Sequence, residues 1–225
     1  VTAYQSSSGH TWISWGELGL EVYSPSGAKL GFWDNLEFPI REIVEYDGLV
    51  LFATEDGVER FNETTFSWES TWTPGNGLPN NVGDWVGELW TDGQHLLVGT
   101  ATFAWWGGFQ RGVIGHLDGS TGTWSTVETG QNGIPNGYPM SMSQCGSYVY
   151  IGLLNNNGGI VSMDLNSSSV VGSFTTSVLS NGRVAAVACD SVATLYVGYD
   201  EDDQGISKYN TVAGSWLPKL TAAAN

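Results

Sequence analysis

Apolar residues along this chain come in short runs, each closed by turn formers. The stretch from Arg41 to Asn81 shows it best, reading REIVEYDG, LVLFATEDG, VERFNETTFSWESTW and TPGNGLPNN. Runs of four to eight residues rich in Val, Ile, Phe and Trp, bounded by Gly, Asp, Asn or Pro, predict strands. Asp47-Gly48 and Asp56-Gly57 are dipeptides that tolerate the positive φ of tight hairpins. Four antiparallel strands in about forty residues make one small twisted sheet, which cannot bury both faces alone.

The same unit recurs. Second strands read TWISW (11–15), LVLFAT (49–54), HLLVGT (95–100), YVYIGL (148–153) and TLYVGY (194–199). Each leads through a loop to a Gly-led third strand: GLEVYS (19–24), GVERFN (57–62), GVIGHLD (112–118), GIVSMD (159–164) and GISKYN (205–210). First strands (VTAYQ, REIVEY, VGELW, MSMSQ, VAAVA) and fourth strands (KLGFW, FSWESTW, TWSTV, VVGSF, SWLPK) complete an A-B-C-D order five times over. Residues aligned with Tyr23, among them Phe61, His116, Met163 and Tyr209, are expected at one packed core slot in every unit. The units span approximately 1–39, 40–81, 82–139, 140–182 and 183–225. Four strands repeating at this period predict an all-β fold, a β-propeller of four-stranded antiparallel blades. In such an array each sheet packs one face on the preceding blade and the other on the next, so the core is continuous. Five repeats fit a five-bladed ring or a segment of a larger one.

Composition agrees. The 225 residues include 31 Gly and 11 Trp with only 13% charged, which suits many short strands joined by tight turns. No apolar run approaches the eighteen or so residues of a membrane helix, so no membrane insertion is expected of this chain. Seven Lys plus Arg against 23 Asp plus Glu give a formal net charge of -16. That field repels phosphate backbones and argues against nucleic acid as a partner. The chain begins at Val1 with no visible signal peptide, as expected of a processed product or a piece of something longer.

LVLFATEDGVERFNETTFSWESTW followed by GNGLPNN, and later GTWSTVETGQNGIPN, resemble the two-component-regulator propeller repeat. In that family an "lW-x-G-T…G-h-x-x-aromatic" core leads to a Trp-bearing outer strand and an N-G-L-P loop. The resemblance spans the chain at low stringency and is closest in the second and third units. The first unit has Asn35-Leu36-Glu37-Phe38-Pro39 at the loop position, and the fourth has Ser180-Asn181-Gly182. Because such repeats occur in sensor ectodomains and in free-standing secreted propellers, the resemblance implies an extracellular or periplasmic location. It bears on fold more than on function.

The B–C loops vary from unit to unit while the strands do not, and variable loops on a rigid scaffold are where function lies. Trp15 opens the first. The third is an insertion, Ala101 to Arg111, carrying Phe103, Trp105, Trp106 and Phe109 between glycines. These aromatics read either as a platform for sugar rings or a partner protein, or as a lid folded over the protein's own blade. The fifth loop, Asp200 to Gly205, resembles the start of a calcium loop, with Asp200, Asp202 and Asp203 as candidate ligands. Thr211 stands at the twelfth position where such a loop carries Glu, so a solvated acidic turn is the competing reading. No other cofactor is indicated.

For catalysis, Glu42, Glu45 and Glu88 lie on inner strands near the channel. Glu42 and Glu45 are three apart on a strand and point to opposite faces. Aligning Asp47-Gly48 with Asp92-Gly93 puts Glu88 opposite Ile43, so the carboxylates are not expected to converge. His10 and His95 fall at A–B hairpins, and no spacing of His or Cys suggests zinc or a nucleophile–base set. Cys145 and Cys189 end the first strands of successive blades, where a disulfide and two buried thiols are both conceivable. The leading expectation is a non-enzymatic extracellular recognition or scaffold propeller, binding a glycan or partner protein through its B–C/D–A loop face. The rivals are a polysaccharide hydrolase or lyase using channel carboxylates such as Glu45 and Glu88, and a structural surface-layer or fibre component.

Overall fold

The computed structural model describes residues 1–34, 39–103, 108–179, 182–200 and 205–221. Strands β1 (Thr2–Gln5), β2 (Thr11–Ser14), β3 (Leu20–Tyr23) and β4 (Lys29–Trp33) form the first sheet. The second holds β5 (Ile43–Tyr46), β6 (Leu49–Thr54), β7 (Gly57–Asn62) and β8 (Ser67–Trp68). Two short strands, β9 (Thr73–Pro74) and β10 (Gly77–Leu78), pair in parallel within the Asn-Gly-Leu-Pro loop. The third sheet comprises β11 (Trp85–Thr91), β12 (His95–Phe103), β13 (Phe109–Asp118) and β14 (Thr123–Glu128). The fourth is β15 (Tyr138–Cys145), β16 (Tyr148–Leu154), β17 (Gly159–Asp164) and β18 (Ser169–Phe174). The last is β19 (Val184–Cys189), β20 (Thr194–Tyr199), β21 (Ile206–Asn210) and β22 (Ser215–Leu220). Each four-stranded sheet is antiparallel in sequence order, the blade of a β-propeller. Among the described residues the one helical element is a 3-10 turn at Gly16–Leu18.

Turn chemistry explains the hairpins. Asp47 (φ 51°) and Gly48 (φ 74°) supply the paired positive φ of a two-residue connection between β5 and β6. Gly57, opening β7, has φ 131°, and a Cβ there would meet the Trp72 carbonyl oxygen at 2.3 Å. This glycine serves close backbone approach as well as the turn.

The core lies between sheets. Trp12, Leu20 and Val22 of the first blade interlock with Ile43, Val50, Phe52 and Phe61 of the second. Leu51, Ala53 and Val58 meet Val86, Leu89, Leu96 and Val98 at the next interface. Leu97 and Ile114 then pack on Val149, Ile151 and Met163, and Tyr150 and Ile160 on Val187, Leu195 and Val197. Middle strands of the interior blades are therefore buried on both faces, whereas β2 alternates half-buried and buried positions.

Two local expectations need correction. The second blade's outer strand does not run through residues 66–72. Pairing covers Ser67–Trp68 and resumes only as a bridge between Val58 and Trp72. The core slot of Phe61, Met163 and Tyr209 is filled in the third blade by Leu117, not His116, and in the first by Val22, which pairs with Trp12, not by Tyr23, which pairs with Thr11. Leu117 pairs with Leu96 as Phe61 pairs with Val50. Gly112 pairs with Ala101, one step beyond the Gly57–Thr54 pair, because the third blade's B–C hairpin is longer. His116 is still buried, with Nδ1 2.8 Å from the Ser168 hydroxyl of the next blade.

Candidate functional site at the channel mouth

Inner strands of a propeller have one edge facing the channel, and here that edge is irregular near its start. The register shifts between Val86 and Glu88, between Pro139 and Ser141, and between Val184 and Ala186. In the second blade the Ala53 carbonyl accepts the Arg41 N–H while the Ala53 N–H donates to the Glu42 carbonyl, placing both residues against Ala53. Such bulges re-aim side chains. Glu42, Glu88 (opposite Gly99), Ser141 (opposite Gly152) and Ala186 (opposite Gly198) consequently take one position in successive blades.

Glu42 and Glu88 therefore converge, contrary to the alignment on Asp-Gly. The cause is hairpin length. Tyr46 pairs with Leu49 across two residues, but Thr91 pairs with Leu96 across four, so the second Asp-Gly is out of step with the first. Both carboxyls line a cavity of about 440 Å³ with Thr2, Arg41, Gly87 and Ser141. Both also border a second cavity of about 350 Å³, walled by Tyr4, Val44 and Trp90.

The Oε1 of Glu88 accepts the Met142 backbone N–H at 3.1 Å, capping an inner-strand N–H of the next blade. Ser141 does the same for Val187 at 3.0 Å, and Ser143 for Cys189 at 3.1 Å. Burial, reinforced by the charge of Glu42, pushes the Glu88 carboxyl up to about 8. Burial also raises Glu42. Arg41 and the Val1 amino group line the same cavity, and the buried Nε of Arg41 has no hydrogen-bond partner among the described residues. Arg41 Nη2 donates to Glu55 Oε1 at 2.9 Å, and its guanidinium lies 4.5 Å from the Trp85 ring centroid. Glu88 thus retains its proton at neutral pH, and no hydrogen bond joins either carboxyl to a cationic side chain among the described residues.

Arg41 links this cavity to an aromatic cluster. Trp85 meets Phe103 and Tyr138 edge-on, each at 5.5 Å between centroids. Phe103 lies 5.7 Å from Tyr138, and Phe109 lies 5.4 Å from Tyr138. A Cβ on Gly87 would reach the Trp85 ring at 2.4 Å, so the indole lies across this glycine, beside Glu88. The insertion is a continuation of the β12–β13 hairpin, with Phe103 paired across it to Phe109. Phe103 remains 36% exposed. Trp105 and Trp106 lie outside the described residues.

The other candidates fall elsewhere. Trp15 is exposed and donates through Nε1 to Glu21 at 2.9 Å. The Lys29 hydrogen bond, followed by those of Trp15 and Tyr23, holds Glu21 at about 2. Glu45 accepts the Ser7 backbone N–H at 2.6 Å, away from Glu42 and Glu88. Asp200 is paired with Arg183, Asp202 and Asp203 lie outside the described residues, and no group of three metal-binding side chains occurs among the described ones. His10 contacts Ser8 and Glu63 through the same nitrogen, Nδ1, which is not the relay a nucleophile requires. Cys145 and Cys189 are joined as a disulfide between β15 and β19. Arg41, Trp85 and Tyr138 were not singled out from sequence. Their signal was position, since Arg41 and Trp85 flank the bulged starts of inner strands.

This geometry defines a propeller whose loop face carries a carboxyl-floored cavity beside aromatic rings. No family model matches the chain, and no curated protein matches it. Among solved structures it is similar to the extracellular domain of a protein described as the hybrid two-component system BT3049 of B. thetaiotaomicron (TM-score 0.70, 18% identity), covering 96% of this chain and 29% of that one. The computationally designed Ika8 protein matches with TM-score 0.65 and 14% identity over 96% of this chain and 59% of its own. The extracellular domain of a protein described as the one-component system BT4673 of B. thetaiotaomicron matches with TM-score 0.54 and 17% identity, over 83% and 23%. The chain thus spans less than two thirds of each, and at these identities the likeness is one of fold.

Proposed function

We propose that this chain is a non-enzymatic, extracellular recognition module that binds an oligosaccharide across its loop face. The observation that carries the reading is the contiguity of two features through Arg41, which lines the cavity holding Glu42 and Glu88 and stacks on Trp85 of the aromatic cluster. Aromatic faces take the apolar side of a sugar ring, and carboxyls and hydroxyls take its polar edge. Similarity to two extracellular domains supports the location. A second reading, a glycoside-active enzyme, is favoured by the raised Glu88 beside a second carboxyl. The experiment is glycan-array screening followed by calorimetry. Phe103→Ala is expected to weaken the best glycan about tenfold or more while leaving the protein folded. Unchanged affinity in that variant defeats the loop-face reading, and shortened product from a bound glycan favours the enzyme.

A further inference from the structure

The cavity floor points to the kind of saccharide, an inference that rests on the recognition reading above. Glu42 and Glu88 are brought to equivalent places on neighbouring blades by matched bulges. The Met142 N–H occupies Glu88 Oε1, and among the described residues no side chain donates to either carboxyl. Among the described residues Arg41 is the one cationic side chain on the cavity wall, beside the Val1 amino group, and its Nη2 and guanidinium face are taken by Glu55 and Trp85. The chain as a whole carries a net charge of -16, a field that favours a cationic ligand over an anionic one. Ser141 and Thr2 extend the polar lining, and Trp85 borders it through Gly87.

We propose that the channel mouth holds a protonated primary amine between Glu42 and Glu88, and that the ligand is an oligosaccharide bearing free amino groups. An ammonium supplies N–H donors to carboxyl oxygens that no side chain among the described residues engages, while the sugar ring that bears it rests against the Trp85 wall. Binding displaces the proton that Glu88 retains. The carboxylic acid O–H bond breaks, its proton passes to buffer, and the ammonium keeps its own. Calorimetry in two buffers of different ionisation enthalpy near neutral pH reads that release directly.

The probes are the β-1,4-linked glucosamine hexamer, its fully N-acetylated counterpart and cellohexaose, at about 0.15 M salt to screen the overall field. The glucosamine hexamer is expected to bind at least about tenfold more tightly than either neutral chain, with proton release. Glu42→Gln and Glu88→Gln should each cost about tenfold or more. Glu45→Gln, on the other face of its strand, should cost nothing. Equal affinity for neutral chains, or equal loss in Glu45→Gln, overturns the amine assignment. If neutral chains bind and Phe103→Ala abolishes them, the loop-face reading survives alone. If no saccharide binds, both fall.

Discussion

Glu63 shows how one side chain can join two blades. It sits in the C–D turn of the second blade and accepts from Ser6 (2.9 Å), Ser8 (2.6 Å) and the Trp12 indole (2.7 Å) of the first. Burial alone would raise its pKa, but the bonds from Ser8, Trp12 and Ser6, with His10 nearby, outweigh this and hold it below the usual range. Glu63→Gln is expected to destabilise the protein by about 1–2 kcal/mol at neutral pH, the cost of weakening hydrogen bonds to a partly buried charged group. A depressed carboxyl stabilises above its unfolded pKa of about 4.3 and loses that contribution as pH falls through the folded value. The stability difference between wild type and variant should therefore shrink below about pH 4 in urea titrations. Glu88 has the opposite slope. Its folded pKa of about 8 lies above the unfolded value, so stability falls as pH rises between about 4.3 and 8. Glu88→Gln should flatten that decline, and an unchanged slope would mean that Glu88 is solvated.

Strand order and blade construction were legible in the sequence because apolar alternation and Asp-Gly turns act locally. LVLFAT, GVERFN, KLGFW, GIVSMD and TLYVGY match β6, β7, β4, β17 and β20 to the residue. Register between blades was less legible, since it depends on turn length and bulges that leave little trace in composition. An extra pair of turn residues at Asp92–His95 was enough to hide the convergence of Glu42 and Glu88. The aromatic insertion was legible as a feature but not as a hairpin, because its pairing depends on Tyr138 and Trp85 from distant segments. At this scale the disulfide also matters. Cys145 and Cys189 are 44 residues apart in sequence and tie β15 to β19. In the chain-entropy model a loop of that length contributes about 4 kcal/mol. Replacing both by Ser is expected to lower the denaturant midpoint, with a loss in the range of about 2–5 kcal/mol. Intact-mass measurement with and without reductant should show the bridge as a two-hydrogen difference, and native alkylation of both thiols would refute it.

At the scale of the whole molecule, stability in a stacked array is a sum of blade terms and interface terms. Interior blades have two interfaces, as the fully buried run from Val50 to Thr54 and the run from Val149 to Leu154 show. The first and last blades expose part of an outer face, with Phe32 and Leu30 on one and Ile206 and Leu220 on the other. Sheets packed on one side open at lower free energy than those packed on both. Amide exchange should therefore be slowest in β6, β12 and β16, and at least about tenfold faster in β2 and β20, a gap of about 1.4 kcal/mol or more. Reduction of the disulfide should accelerate β20 further and leave β2 unchanged, because the bridge joins only the fourth and fifth blades. Binding of a saccharide at the channel mouth should protect β5, β11 and β15, which carry or flank the carboxyl positions, more than β20. Uniform protection across all five sheets would show that the array opens all at once, and the nearest-neighbour account of its stability would then be wrong.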